Sequence, residues 1–345
     1  MTISNISVIV PFYNAADTLS LCLESLEAQE ERPFEVILVD NNSTDRSASI
    51  AKNFTTRYKG WYRCITEKKQ GPTFARNAGA KQAGGDIIAF TDADCITHPN
   101  WLRSLAGNFD APNIGAVAGK TAAYEHKTSL DKFHALYTLQ GLKNDGIFSE
   151  FLILSGGFPT ANLAVRKDIF EAINGFDESI KIYSEDYDLC ARIYQSGYKI
   201  KYTNQVIVYH KHRTTLKGTW KQSYGFGSGH VINLKRHFSR LLIFEVPKFR
   251  YMSQRYPLRA WVDLAAADKK MMAIVLLALI WWPMVFGLPI YTAFLYRQIS
   301  VRLQRREISS SAKEKCLLVA LLLFKSFALT SGRVVGAIKH RIFCF

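Results

Sequence analysis

Thr91-Asp92-Ala93-Asp94 closes an apolar run with two carboxylates one residue apart. At the end of a strand such a pair repels itself unless something cationic lies between it and solvent. A hard divalent ion bridging to a diphosphate, Mg2+ or Mn2+ held by oxygen ligands, supplies that charge. An isolated Asp-x-Asp is also a common solvated turn. Ser184-Glu185-Asp186-Tyr187-Asp188 brings three more acids to the opening of a helix, with Ser184 as its N-cap. They either complement the helix dipole or include a general base, because a carboxylate beside a bound sugar takes a hydroxyl proton. Asp186 is the first candidate and Glu185 the second. Val39-Asp40-Asn41-Asn42-Ser43-Thr44-Asp45 sets the Asp40 carboxylate where it accepts hydrogen bonds from a ribose or a base, or else caps the next helix. In Gly71-Pro-Thr-Phe-Ala-Arg76-Asn77-Ala-Gly79 a cation and an amide reach a helix start, facing phosphate or a structural carboxylate. His210, in Tyr209-His-Lys-His212, is an imidazole ligand or a surface residue.

These residues need strands to deliver them. Ile6 to Phe12, Phe34 to Asp40, Trp61 to Glu67 and Ile87 to Thr91 are short β-branched runs, separated by amphipathic stretches at Ala15 to Gln29, Thr44 to Tyr58 and Thr73 to Ala83. That alternation predicts a mainly parallel sheet, with the polar clusters at its carboxyl edge, where open α/β sheets bind ligands. Further on, the patterns predict a helix over Pro99 to Phe109, a strand over Gly115 to Tyr124 and an ill-defined polar stretch to about 150. They also predict a strand at Ala161 to Val165, a helix at Glu185 to Ser196, and a strand pair at Tyr198 to Tyr202 and Val206 to Tyr209. Thr214 to Pro257 reads as basic, aromatic and helical.

Taken together and in order, the patterns resemble the family 2 glycosyltransferases. They include Ser7-Val-Ile-Val-Pro-Phe-Tyr-Asn14, Val39 to Asp45, Ala75-Arg-Asn-Ala-Gly79, Asp92-Ala-Asp94, Gly156 to Lys167, Gly175-Phe-Asp-Glu178 and Glu185-Asp186. The resemblance spans about residues 5 to 235. It implies a GT-A fold and sugar transfer from a nucleotide diphosphate donor, usually with inversion. By that likeness Pro11, Tyr13, Asp40, Asn42 and Arg76 would line the nucleotide site and Asp92 would face the ribose. Asp94 and His210 would hold the metal, and Asp186 would be the base. The QxxRW string of the family's processive members is absent after the acidic helix. Trp220-Lys-Gln-Ser-Tyr-Gly-Phe-Gly-Ser-Gly229 stands there instead, similar to non-processive relatives, so transfer of one sugar is expected. Gly225, Gly227 and Gly229 either let backbone approach the acceptor or the diphosphate, or form a flexible loop.

Composition narrows the alternatives. With 345 residues, 48% hydrophobic and 21% charged, the chain is neither a disordered tail nor a fibrous repeat. Six cysteines without CxxC spacing indicate neither a disulfide framework nor a zinc site, and fit a reducing compartment. Residues 1–200 carry 20 Lys/Arg and 24 Asp/Glu, and residues 201–345 carry 24 and 5, so the two parts have net charges of −4 and +19. The basic part suits anionic lipid or nucleic acid. Its position beside apolar segments favours lipid, with no nucleic acid expected; the alternative is a basic membrane- or nucleic-acid-binding protein without catalysis. A dehydrogenase is disfavoured because the turn from Pro11 to Ala16 has no glycine, and a P-loop NTPase lacks GxxxxGK[ST].

Met271 to Tyr296 is about 26 mostly apolar, uncharged residues, more than the roughly 20 that cross a bilayer, so it either spans or is broken by Pro283, Gly287 and Pro289 into a re-entrant hairpin. A shorter run, Cys316 to Ser331, contains Lys325. The expected organisation is a catalytic domain at 1–240, a basic juxtamembrane segment at 241–270 and membrane-associated helices at 271–345. No basic n-region opens the chain, so the catalytic domain is expected to be cytoplasmic. A spanning helix at Met271 would then push the loop Arg297 to Lys315, with six Lys/Arg, outward against the positive-inside bias. Both runs are therefore expected to dip into or lie along the cytoplasmic leaflet, with Lys248 to Lys270 on anionic headgroups; the alternatives are a conventional two-span hairpin and a buried helix packed on the catalytic domain.

Overall fold

The computed structural model describes residues 6–138, 141–152, 156–180, 183–212 and 214–345. The chain forms two compact units, Met1–Tyr124 with Leu139–His212, and Glu125–Thr138 with Arg213–Phe345.

The first unit opens with the expected alternation: β1 (Ile6–Phe12), α1 (Leu19–Glu27), β2 (Glu35–Asp40), α2 (Ser47–Arg57), β3 (Tyr62–Thr66), α3 (Pro72–Gln82) and β4 (Ile87–Phe90). Then come β5 (Cys95–Thr97), α4 (Trp101–Gly107) and β6 (Ile114–Ala123). After α5 (Ser129–Tyr137), which belongs to the second unit, follow β7 (Gly146–Phe148), β8 (Leu163–Arg166), α6 (Lys167–Ala172), α7 (Glu185–Gln195) and β9 (Lys199–His210). Among the described residues they form a nine-stranded sheet in the order β3-β2-β1-β4-β8-β6-β9-β5, with β7 on β9. Strand β1 lies parallel to both β2 and β4. Successive β1 side chains point to opposite faces, so Ile6, Val8 and Val10 join Leu19, Leu23 and Trp101 in one core, and Ile9 joins Ala75, Leu189 and Ile193 in the other. A sheet covered on both faces needs strands with near-continuous apolar runs, as Val8 to Val10 of β1 and Val36 to Val39 of β2 are.

The expected strand pair at Tyr198 to Tyr209 is one strand, β9, irregular where its pairing with β6 shifts between Gly119 and Lys120. Asn162 satisfies the carbonyls freed there, donating to Lys120 and Val206 at 3.0 Å each. The polar stretch before 150 contains α5, whose Thr128 and Asp131 form a capping box. The Ser/Thr-x-x-acid spacing that marks such a start was present in the sequence.

The second unit also holds α8 (Leu216–His237), β10 (Leu241–Val246), β11 (Phe249–Ser253), β12 (Arg259–Asp263), α9 (Ala267–Ile280), α10 (Gly287–Arg305), α11 (Ala312–His340) and β13 (Phe343–Cys344). The helical expectation for Thr214 to Pro257 fails beyond His237. Leu241-Leu-Ile-Phe-Glu-Val246 alternates burial with period two and pairs antiparallel with β11. The long run Met271 to Tyr296 is not one helix. It breaks at Trp281 into a 3-10 turn over Trp282–Phe286, where Pro283 has no amide hydrogen to continue the ladder. The second apolar run extends to the 29-residue α11, capped by Ser311 and Glu314. Lys325 does not interrupt it, because its ammonium donates to the Tyr137 carbonyl.

Gly225, Gly227 and Gly229 lie inside α8 and form no loop. A Cβ on Gly227 would sit 2.0 Å from the Leu329 carbonyl oxygen, and one on Gly332 2.0 Å from that of Tyr224. Two backbones approach too closely there for any side chain, so Gly227 and Gly332 serve the α8 to α11 contact. Gly→Ala inside a helix ordinarily stabilises by about 1 kcal/mol. Gly227→Ala is expected to destabilise instead, by about 1–3 kcal/mol through overpacking. A raised midpoint in thermal unfolding would contradict the close contact.

Candidate active site

Because β1, β2 and β4 run parallel, their C-terminal ends share one edge, which carries Tyr13, Asp40 to Asn42, and Asp92 to Asp94. Tyr13 is 51% exposed, so its ring is available to a ligand, and Pro11 is half-buried beside it. Asp40 is buried and accepts from the Ser43 amide at 2.9 Å, an Asx turn. Asn42 sits in the left-handed region at φ 65° and donates to the Lys68 carbonyl at 2.7 Å. Asn41 donates to the Glu67 and Lys69 carbonyls and accepts from the Gly71 amide. The turn after β2 is thereby tied to the loop that opens α3.

Arg76, one turn into α3 behind Pro72, resolves the choice between phosphate and carboxylate in this structure. It is 5% exposed, and its guanidinium donates to Asp92 Oδ1 at 2.9 Å and to Glu185 Oε1 at 3.2 Å. Burial alone would lower its pKa; the Asp92 and Glu185 charges outweigh that and keep it protonated. Three motifs far apart in sequence thus meet on one side chain. The neighbouring Asn77 donates to the Phe176 carbonyl and accepts from the Phe176 amide, at 2.9 Å each, which fixes the Gly175 to Glu178 turn against α3. Arg76 Nε and Glu185 Oε2 are buried without a hydrogen-bond partner. Unsatisfied buried polar atoms are uncommon away from sites that bind something.

Past β4 the chain turns at Asp92 to Asp94 and enters β5, which pairs antiparallel with β9 so that Cys95 faces His210. This register brings His210 Nε2 within 3.4 Å of Asp94 Oδ1. One donor atom each from Asp94, Cys95 and His210 lie within 4.8 Å of one another. His210 Nδ1 is buried with no hydrogen-bond partner, and the His212 ring lies 4.7 Å from the His210 ring. A carboxylate oxygen next to an imidazole nitrogen fits a divalent first-row cation. Cys95 escaped the sequence reading. It packs in the core, and burial, then the charges of Asp94 and Asp92, push its thiol well above its ordinary value, so it is neutral without a metal. Asp94 and His210 are therefore the ligand pair that fits.

Helix α7 begins after two left-handed residues, Tyr183 at φ 62° and Ser184 at φ 102°. Ser184 occupies the N-cap position but makes no side-chain cap, because that backbone does not aim its hydroxyl at the first turn. Of the three acids, Glu185 holds Arg76, and Asp188 accepts from Arg192 Nε at 2.8 Å. Asp186 is half-buried, and its Oδ1 accepts from the Tyr187 amide at 2.9 Å. Loss of hydration, then the Glu185 charge, raise its pKa to about 7, against a smaller opposing effect of Arg76. A carboxyl poised near neutrality suits proton transfer.

Residues 7–173 match Glycosyl transferase family 2. Glycosyltransferase AglE of Haloferax volcanii is 29% identical over 252 residues, covering 70% of this chain and 80% of that protein. The O-antigen chain rhamnosyltransferase WbaN of Salmonella anatum is 28% identical over 240 residues, covering 66% and 72%. Two solved structures share the fold. The mannosyltransferase PcManGT of Pyrobaculum calidifontis, in complex with GDP-Man and Mn2+, has a TM-score of 0.56 at 16% identity, covering 97% of this chain and 87% of that one. S. aureus TarS 1-349, in complex with UDP-GlcNAc, has a TM-score of 0.51 at 20% identity, covering 67% of each chain. The likeness of the sheet and its helices to these chains is a GT-A fold, and the family match together with the named relatives makes residues 7–173 a glycosyltransferase domain of family 2.

Proposed function

We propose that the chain transfers one sugar from a nucleoside diphosphate sugar to a lipid-linked or envelope glycan acceptor, with inversion and with a divalent cation at Asp94 and His210. The observation that carries this reading is the Arg76 bridge between Asp92 and Glu185, which sets the strand edge beside the helix that bears Asp186. The donor's nucleoside would lie along Pro11, Tyr13, Asp40 and Asn42, with Asp92 toward the ribose. Asp186, ionised, takes the proton of the acceptor hydroxyl as its oxygen bonds to the anomeric carbon. The bond from that carbon to the diphosphate breaks on the opposite face, which inverts the configuration. Asp94 and His210 would hold the cation, which would supply positive charge to offset that building on the departing diphosphate. The absence of QxxRW after α7 supports release after one addition.

The acceptor class draws on the relatives, one of which is named for the O-antigen chain. A membrane location of the second unit, with the catalytic unit in the cytoplasm, draws on the net charge of +19 over residues 201–345 and on α11, whose length and composition would cross a bilayer. A panel of UDP-, GDP-, CDP- and dTDP-sugars scored for nucleoside diphosphate release, with Mn2+ or Mg2+ supplied, tests the donor half without an acceptor. Release from at least one donor is expected. Release from none, in a folded protein that also binds none, would refute it.

A further inference from the structure

The second unit exposes an apolar apex that its own packing does not use. Ile280 is 84% exposed, Leu279 80%, Trp282 70%, Trp281 63% and Phe286 59%. On α10, Ile290 is 70% exposed, one turn past the break. Scattered exposed apolar residues are ordinary, but a contiguous cluster of this size marks an interaction surface.

The apex is the end of a hairpin. A Cβ on Gly287 would lie 3.1 Å from Ile274 Cγ2, and the Tyr291 hydroxyl donates to the Ala267 carbonyl at 3.3 Å, so α10 returns alongside α9. No charged residue occurs between Lys270 and Arg297. Ile280 lies ten positions after Lys270, and Arg297 ten positions after Gly287. At about 1.5 Å per residue each stretch is about 15 Å, half of a hydrocarbon core of about 30 Å. The 14-residue α9 is too short to cross.

Helix α11 passes the length test, but its polar groups are engaged within the unit. Arg333 donates to Asp263 at 2.8 Å and to His230 at 3.2 Å, and Lys325 donates to the Tyr137 carbonyl. Gly227 and Gly332 bring α11 against α8 at backbone distance. Moving α11 into lipid would strip these partners from two cations, at several kcal/mol.

We propose that the α9 to α10 hairpin inserts its apex into one leaflet of an anionic membrane, with Lys270 and Arg297 at headgroup level, while α11 stays packed on α8. This rests on the membrane association proposed above and names the element that makes it. Charge selects lipid over a second copy of the chain: residues 201–345 carry +19, which repels another copy and attracts anionic headgroups. Insertion to one leaflet also keeps the basic stretch Arg297 to Lys315 on the same side as the catalytic unit.

The test compares the full chain with the double variant Ile280→Asp, Trp282→Asp, using vesicles of phosphatidylcholine with or without phosphatidylglycerol. Both positions are exposed, so circular dichroism and donor hydrolysis are expected to stay unchanged. The wild-type chain is expected to float with the anionic vesicles and the variant to lose about 10²-fold or more in partitioning, given the cost of burying a carboxylate in a bilayer. Equal binding by the variant overturns the hairpin and leaves the membrane reading standing. No binding by the wild type, as a soluble monomer, overturns both. A vesicle-indifferent dimer that the substitutions dissociate makes the apex a protein interface and also overturns the proposal. Single cysteines at Ser300 and Ser309, with Cys316 and Cys344 replaced by serine, read the topology in intact cells. Protection from an impermeant thiol reagent is expected, and labelling from outside overturns one-leaflet insertion in favour of two spans.

Discussion

Asp94→Ala is expected to abolish donor turnover, by about 10³-fold or more, while the protein stays folded. The carboxylate sits at the sheet edge with Oδ1 3.4 Å from His210 Nε2, and its side chain is 42% exposed, so little packing is lost. A solvated turn would lose almost nothing on the same change. The discriminating controls are the thermal midpoint, expected to move little, and Mn2+ affinity by calorimetry, expected to fall with turnover. Turnover close to wild type in Asp94→Ala, or full wild-type activity in excess chelator, would remove the cation from the account. His210→Ala is expected to weaken Mn2+ binding as well, because the cross-strand register holds that imidazole opposite the start of β5.

Asp186→Asn removes the proton acceptor and changes the shape by almost nothing, so transfer is expected to fall by about 10² or more with donor affinity retained. Glu185 and Asp188 are each engaged by a cation, one by Arg76 and the other by Arg192, which leaves Asp186 the first candidate. If transfer in Asp186→Asn stays near wild type, Asp186 is only an acid in a first helical turn and Glu185 becomes the candidate base.

What the sequence could reveal was local. Carboxylates one residue apart after an apolar strand, an Asp-Asn-Asn turn and an acidic helix opening each lie within a few residues, and the alternation that delivers them is short-range too. The Arg76 bridge was not legible, because Glu185 lies 109 residues away and nothing near Arg76 says which way it points. Cys95 reads as one more apolar residue until β5 and β9 pair and set it opposite His210. The glycines of α8 read as a backbone approach to a ligand or as a flexible loop because glycine is costly in a helix; the closeness of α11 explains Gly227. For Met271 to Tyr296 the interruption was legible in Pro283, Gly287 and Pro289, and the Trp281 to Phe286 turn divides the run there.

The pH dependence of kcat/KM for the matched donor and acceptor tests the central claim most directly, since it reports the free enzyme's essential base. The base must be ionised, so the rate is expected to rise with pH, with an apparent pKa of about 7. Glu185→Gln removes the charge that helps raise Asp186, so the rise is expected at lower pH in that variant. A profile flat from about pH 5 to about pH 9, or one that Glu185→Gln leaves in place, would contradict Asp186 as the group that takes the acceptor's proton.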